Sequence, residues 1–254
     1  MLVFPHAKIN LGLHVIRKRE DGFHDLETCF YPAFDLCDAL EMLPAQEEPG
    51  LEIFGADFSG PKESNLVWKA MELFRKEEPS FAEHSWYLLK KIPSGGGLGG
   101  GSSNAAFALR LMAKKAGWEK NDPRLQKMAA TLGSDCAFFL HNQPMYGTGR
   151  GELLEPISLD LSAYRIEFVF PGIHVSTAMA FSRIQPAIPH QSIREILKQP
   201  VSEWKDLLKN DFEESVFPQF PLLAEHKQEL YNRGAVYASM SGSGSTLFGL
   251  FPKS

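Results

Sequence analysis

Pro93-Ser94-Gly95-Gly96-Gly97-Leu98-Gly99-Gly100-Gly101-Ser102-Ser103-Asn104 lies between an apolar stretch, Trp86 to Ile92, and a run of good helix formers, Asn104 to Met112. Six glycines in seven positions are too many to serve core packing. Without a Cβ, glycine adopts positive φ and lets a bulky ligand approach the backbone N–H groups. Free N–H groups that feed a helix N-terminus form an anion site, because orphan donors and the positive end of the helix dipole point the same way. The length of the loop points to a polyphosphate. It is not a Walker A loop, since no lysine follows the glycines. Nor is it a dinucleotide fingerprint, since no strand-end acid follows about 20 residues on. A flexible linker is the alternative, but linkers do not sit between a strong strand and a strong helix. Ser102 and Ser103 can add hydroxyl contacts to phosphate or to Mg²⁺, which takes oxygen ligands.

The chain has 254 residues, 44% of them apolar and 22% charged, which fits an ordered globular protein in one domain or two compact halves. A net charge of −5 with no long basic run argues against nucleic acid as a partner. Cys29, Cys37 and Cys136 form no CxxC and leave one thiol over in any pairing, as expected of a reducing cytoplasm. The start, Met1 to Lys8, lacks the charged and then apolar pattern of a signal peptide, and no apolar run spans a bilayer. The expectation is a soluble cytoplasmic protein.

Ala7 to Val15 reads as a strand, Arg17 to Gly22 as a turn, and His24 to Phe34 as its hairpin partner. Short strands are expected at Ala39 to Leu43 and Leu51 to Phe54, separated by a polar segment at 44–50. Asn65 to Glu77 is a helix capped by Ser64 or Asn65, with Leu66, Ala70, Leu73 and Phe74 as its apolar face. After the glycine loop a helix runs to about Lys115 and stops at Gly117. Another opens at Asp122-Pro123, and a short one covers Ala137 to Leu140. Met145 to Glu155 reads as a turn-rich connection and the best boundary, dividing the chain into 1–154 and 155–254. Arg165 to Phe170 is a strand, and an element begins in Val175 to Phe181. Ile193 to Lys198 and Val201 to Lys209 are short helices, and Phe220 to Arg233 a long one with Leu222, Leu223, His226 and Leu230 on one side. Strands Ala235 to Ala238 and Thr246 to Phe251 flank a second Gly/Ser loop, Ser239 to Ser245. A run of strands, then helices, then loose alternation is α+β.

Several residues have both a structural and a chemical reading. Lys8 sits in an apolar strand, where an ammonium either has an anionic partner or reaches solvent from the strand edge. Asp135 before an apolar helix is either a first-turn acid, worth about 1 kcal/mol, or a carboxylate that orients a substrate hydroxyl for attack on a γ-phosphate. Phe23 and His24 at the hairpin exit, and Phe181, either pack or stack on a ring. The second Gly/Ser loop either makes a tight turn, or closes on phosphates or supports the first loop.

Together these motifs resemble one superfamily. Pro93 to Asn104 looks like the central motif of the galactokinase, homoserine kinase, mevalonate kinase and phosphomevalonate kinase group. Pro5-His6-Ala7-Lys8-Ile9-Asn10-Leu11 and Arg19-Glu20-Asp21-Gly22-Phe23-His24 resemble the signature of its 4-diphosphocytidyl-2-C-methyl-D-erythritol kinases. Leu132 to Asp135, Pro171-Gly172 with Thr177 and Phe181, and Ser241 to Ser245 fall where that family has further motifs. The resemblance implies a two-lobed α+β fold. Its N-terminal lobe, 1–154, is like the ribosomal S5 second domain, and its smaller C-terminal α/β sandwich lobe is 155–254. It implies ATP- and Mg²⁺-dependent phosphorylation of a 2-hydroxyl in non-mevalonate isoprenoid biosynthesis, by a monomer or homodimer. A homoserine or mevalonate type of kinase is the alternative. The same resemblance makes Lys8 and Asp135 the catalytic pair. Asn10, His24 and Thr177 contact the substrate, and Phe23 and Phe181 sandwich its cytosine. Asn65 and the strand end near Lys91 border the adenine. Pro93, Gly95, Gly96, Gly97, Gly99, Gly100, Gly101, Ser102 and Ser103 hold ATP. No metal ligand set follows from it. Phe23 stands where this family usually has tyrosine.

Overall fold

The computed structural model describes residues 1–45, 49–55 and 60–253, so part of the polar segment at 44–50 lies outside the described residues. Strands β1 (Leu2–Val3), β2 (His6–Lys18), β3 (His24–Cys37), β4 (Ala39–Pro44) and β5 (Leu51–Gly55) come first. Helix α1 (Leu66–Glu77), strand β6 (His84–Lys90) and helices α2 (Gly100–Lys115), α3 (Pro123–Leu132) and α4 (Ser134–His141) follow. Beyond them lie β7 (Met145–Thr148), β8 (Leu153–Pro156), β9 (Tyr164–Val169) and α5 (Thr177–Ser182). Last come α6 (Ile193–Ile196), α7 (Trp204–Leu207), α8 (Phe212–Val216), α9 (Pro221–Asn232), β10 (Tyr237–Met240) and β11 (Leu247–Pro252). The class is α+β, as expected.

Local chemistry explains most boundaries. Gly22, at φ +83°, closes the β2–β3 turn, where the Arg19 amide donates to the Phe23 carbonyl at 2.8 Å. Asn65 caps α1 by accepting from the Val67 amide at 2.8 Å. The buried face of α1 is Val67, Ala70, Met71 and Phe74, which corrects the expected stripe: Leu66 and Leu73 lie at its margin. On α9 the buried residues are Leu223 and Leu230, whereas Leu222, one helical step round, is exposed.

Met145 to Glu155 is not a bare connection. It is the β7–β8 hairpin, with Met145 opposite Pro156 and Thr148 opposite Leu153. Gly149 and Gly151, both at positive φ, form its turn. Three glycines hid the strand periodicity there. Helix α8 was also hidden, because its five residues fall short of two helical turns.

The chain forms two compact units that alternate along the sequence. The first takes Met1–Ala7, Ala33–Ser94 and Gly99–Asn142. The second takes Lys8–Pro32, Gly95–Leu98 and everything from Gln143 onward. In the first unit the strand order is β1-β4-β6-β5. β4 and β6 are antiparallel, and β5 and β6 are parallel with α1 as the crossover that parallel pairing needs. Phe74, Trp86, Leu88, Ile92, Leu109 and Phe138 are fully buried there. In the second unit β3 pairs antiparallel with β7, Thr28 opposite Gly147, and a three-stranded sheet runs β10-β11-β9. Its core gathers Leu13, Val15, Val175, Phe212, Leu223, Met240 and Leu247. Among the described residues no helix is long and apolar enough to cross a membrane.

Candidate active site

The glycine loop is held by its carbonyls. Leu98 accepts from the Lys8 amide at 3.0 Å, Gly96 from the Thr246 amide at 3.3 Å, and Gly97 from the Ser241 hydroxyl at 2.9 Å. Among the described residues, the amides of Gly97, Leu98 and Gly99 donate to no protein acceptor. Carbonyls engaged and N–H groups unused is the polarity an anion needs. Gly97, at φ +77°, is the tightest point, because a Cβ there would lie 2.0 Å from the Ser241 carbonyl oxygen. The second Gly/Ser loop therefore supports the first. It is itself braced by Asn210, whose amide donates to the carbonyls of Met240 at 2.7 Å and Gly242 at 2.9 Å.

In the first unit, Gly99 takes the left-handed conformation at φ +68° and α2 begins at Gly100. Gly100 packs so closely that a Cβ would sit 2.9 Å from Ile92. Ser103 is fully buried, and its hydroxyl has no partner among the described residues. Ser102 hydrogen-bonds the Cys136 thiol, which burial pushes up to about 11 and so keeps protonated and inert. The glycine cradle with its unused amides fits phosphate, and the hydroxyls on the first turn of α2 are oxygen ligands of the kind Mg²⁺ takes.

Lys8 is buried, and its ammonium donates to Asn10 Oδ1 at 2.5 Å. The Asn10 amide donates to Thr28 Oγ1 at 3.0 Å, and that hydroxyl donates to the Gly12 carbonyl at 2.6 Å. The ammonium also lies 5.4 Å from the centre of the Phe30 ring. It is 3.5 Å from where a Cβ on Gly242 would be, so it faces the second Gly/Ser loop. Lys8 is thus a fixed charge rather than a solvated strand-edge lysine, and Asn10 spends its side chain on holding it. Asp135 is half-buried in the first turn of α4, which starts at Ser134 rather than at the expected Ala137. Its structural reading as a first-turn acid is fulfilled, and that does not exclude chemistry.

The aromatic residues are arranged differently from a simple sandwich. Phe181 stacks on His24 with ring centres 4.6 Å apart and planes 18° from parallel. Phe23 is exposed, and the Arg150 guanidinium lies 4.9 Å from its ring centre. Burial first, then the charge of Lys18, holds the His24 imidazole below the ordinary histidine range, so it is neutral at pH 7. The Thr177 hydroxyl opens α5, 3.4 Å from the Ser243 hydroxyl of the second Gly/Ser loop. Asn65 spends its side chain on the α1 cap. Sequence reasoning missed Thr28, Asn210, Asp38 and Lys90. A buried polar residue in an apolar strand was the available signal, and it was read only at Lys8.

Comparison with known proteins finds relatives along the whole chain. Residues 65–143 match the GHMP kinases N terminal domain and residues 192–254 the GHMP kinases C terminal domain. The chain is 50% identical over 254 residues to the 4-diphosphocytidyl-2-C-methyl-D-erythritol kinase of Bacteroides fragilis strain YCH46, covering 99% of this chain and 92% of that protein. It is 37% identical to the same-named protein of Salinibacter ruber, covering 96% and 88%. A crystal structure of a 4-(cytidine 5'-diphospho)-2C-methyl-D-erythritol kinase superposes with a TM-score of 0.83 at 33% identity, covering 98% and 90%. A homoserine kinase from Cytophaga hutchinsonii superposes at 0.70 with 17% identity, covering 98% and 85%, and so shares the fold alone.

Proposed function

The chain belongs to the 4-diphosphocytidyl-2-C-methyl-D-erythritol kinases within the GHMP kinases, and from that membership we propose how its residues move a phosphoryl group from ATP to the substrate 2-hydroxyl. It is a phosphotransferase with an alcohol acceptor, serving isoprenoid biosynthesis. The observation that carries the proposal is the loop at residues 96–99, whose carbonyls are tied down while the amides of Gly97, Leu98 and Gly99 donate to no acceptor among the described residues. The phosphates of ATP bind those amides and the start of α2, and Asn65, Lys91 and Pro93 border the adenine. Ser102 and Ser103 would offer hydroxyl oxygens to a Mg²⁺ carried by the phosphates, and the ion would lower the charge repulsion between phosphates and acceptor.

Asp135 takes the proton of the 2-hydroxyl as its oxygen bonds to the γ-phosphorus and the bond to the ADP oxygen breaks. Lys8, fixed by Asn10 and Thr28, supplies positive charge to the transferring group and to Asp135. Residues 1–154 carry nucleotide binding and chemistry, and 155–254 complete the acceptor site through Thr177 and Phe181. The cytosine stacks on Phe181 with Phe23 on its other face, and neutral His24 moves to its edge as donor or acceptor. Such a ring is what separates this acceptor from homoserine or mevalonate. The enzyme works in the cytoplasm as a monomer or homodimer.

Phe181→Ala should raise KM for the cytidyl substrate about 5- to 150-fold, as loss of about 1–3 kcal/mol of base stacking requires. KM for ATP should stay within about twofold. Equal rises for both would end the stacking assignment. The parent reaction is tested by ADP release with the cytidyl substrate, homoserine and mevalonate in parallel. Turnover with the cytidyl substrate alone is expected, and turnover with either of the others would refute the cytosine pocket.

A further inference from the structure

Asp38 is buried at the junction of β3 and β4, far in sequence from the glycine loop, yet it receives four donors that bracket that loop. Its Oδ1 accepts from the amides of Lys91 at 2.7 Å and Ile92 at 2.9 Å, the residues just before Pro93. Its Oδ2 accepts from the Asn104 amide at 2.8 Å, inside α2, and from the buried Lys90 ammonium. Lys90 also donates to Asn104 Oδ1 at 3.1 Å. One carboxylate thus ties the entrance of the loop to its exit.

Stability alone is a poor reason for this cluster. A buried ion pair is often matched or exceeded by apolar residues of similar volume. The lysine is also badly placed for the helix. Its ammonium lies 3.2 Å from where a Cβ on Gly100 would be, at the positive end of α2, where cations are disfavoured. Asp38 compensates that charge, and an anion on the loop would interact favourably with it.

We propose that Asp38, with Lys90 and Asn104, is a positioning cluster that holds both ends of the phosphate loop at the spacing ATP requires. None of the three needs to touch substrate. The cluster acts through the loop, so it governs the ATP side of the reaction and leaves the acceptor side alone. The proposal rests on the reading that residues 95–103 hold ATP.

The test uses the full chain and three variants, with KM for ATP, KM for the cytidyl substrate, equilibrium binding of a fluorescent ATP analogue and the thermal midpoint. Asn104→Ala keeps α2, since alanine is the best helix former. It should raise KM for ATP and the analogue Kd about fivefold to tenfold through the lost links to Asp38 and Lys90, and should leave KM for the acceptor within twofold. Asp38→Asn should raise KM for ATP further and lower the thermal midpoint, since Lys90 stays buried and charged. The double variant Asp38→Asn/Lys90→Met removes both charges and should recover most of the thermal midpoint. KM for ATP should stay raised, because an amide offers one acceptor oxygen where the carboxylate offered two. Recovery of thermal midpoint and KM for ATP together would make the cluster purely structural and overturn the proposal. So would an unchanged KM for ATP in Asn104→Ala, or an equal rise in both KM values. A wild-type protein that binds no ATP analogue would overturn the loop reading and this proposal with it.

Discussion

Asp135→Asn should lower kcat about 10²- to 10⁴-fold, the usual range for removing a general base, while ATP binding and the thermal midpoint change little. The side chains are the same size, so the start of α4 keeps its packing. The carboxylate's contribution to the helix dipole, about 0.3–1 kcal/mol, is one stability term at risk. Single-turnover ADP release reads the chemical step, and binding of a fluorescent ATP analogue reads the nucleotide site. Loss of turnover with intact binding assigns the proton to Asp135. Near-normal turnover removes Asp135 from the mechanism and leaves it as a first-turn acid.

Gly97→Ala should be the most damaging single methyl in the loop. The new Cβ would lie 2.0 Å from the Ser241 carbonyl oxygen and 3.3 Å from the Gly244 amide nitrogen, both backbone atoms. Left-handed backbone costs a non-glycine residue about 1–2 kcal/mol, and overpacking about 1–3 kcal/mol more. If most of that falls on loop geometry, KM for ATP rises by about 30-fold or more. Gly117→Ala is the control. Gly117 has nearly the same φ, +76°, with no atom of the described residues within 4 Å of a Cβ, so it carries strain without collision. It should cost about 1 kcal/mol of stability and leave KM for ATP alone. Equal KM values for the two variants would show that the contact with Ser241 does not shape the nucleotide site.

The glycine loop, the β2–β3 hairpin and the first four helices were legible because each carries a local signal. Glycine density, Asp-Gly, Asn65 before an apolar stripe and Pro123 after Asp122 all act within a few residues. The β7–β8 hairpin was not legible, since glycine there meant a strand turn and read as loop. The Lys8–Asn10–Thr28 chain was half legible. An ammonium in an apolar strand announces a partner, but Thr28 looks like any strand threonine until the strands pair. The Asp38 cluster was invisible because its donors come from residues 52 to 66 positions away in sequence. The stack of His24 on Phe181 joins elements separated by most of the chain, and no periodicity encodes it.

The alternation of the two units has a temporal consequence. On a ribosome the β2–β3 hairpin emerges early, but the partner of β3's outer edge is β7. Glu27 and the Tyr146 hydroxyl it receives are 119 residues apart. At about 5–20 residues per second, that edge waits about 6–24 s for its strand. An unpaired edge is an aggregation template for that whole interval. A nascent chain stalled before residue 145 should therefore be a strong chaperone client, and one released at 156 a much weaker one.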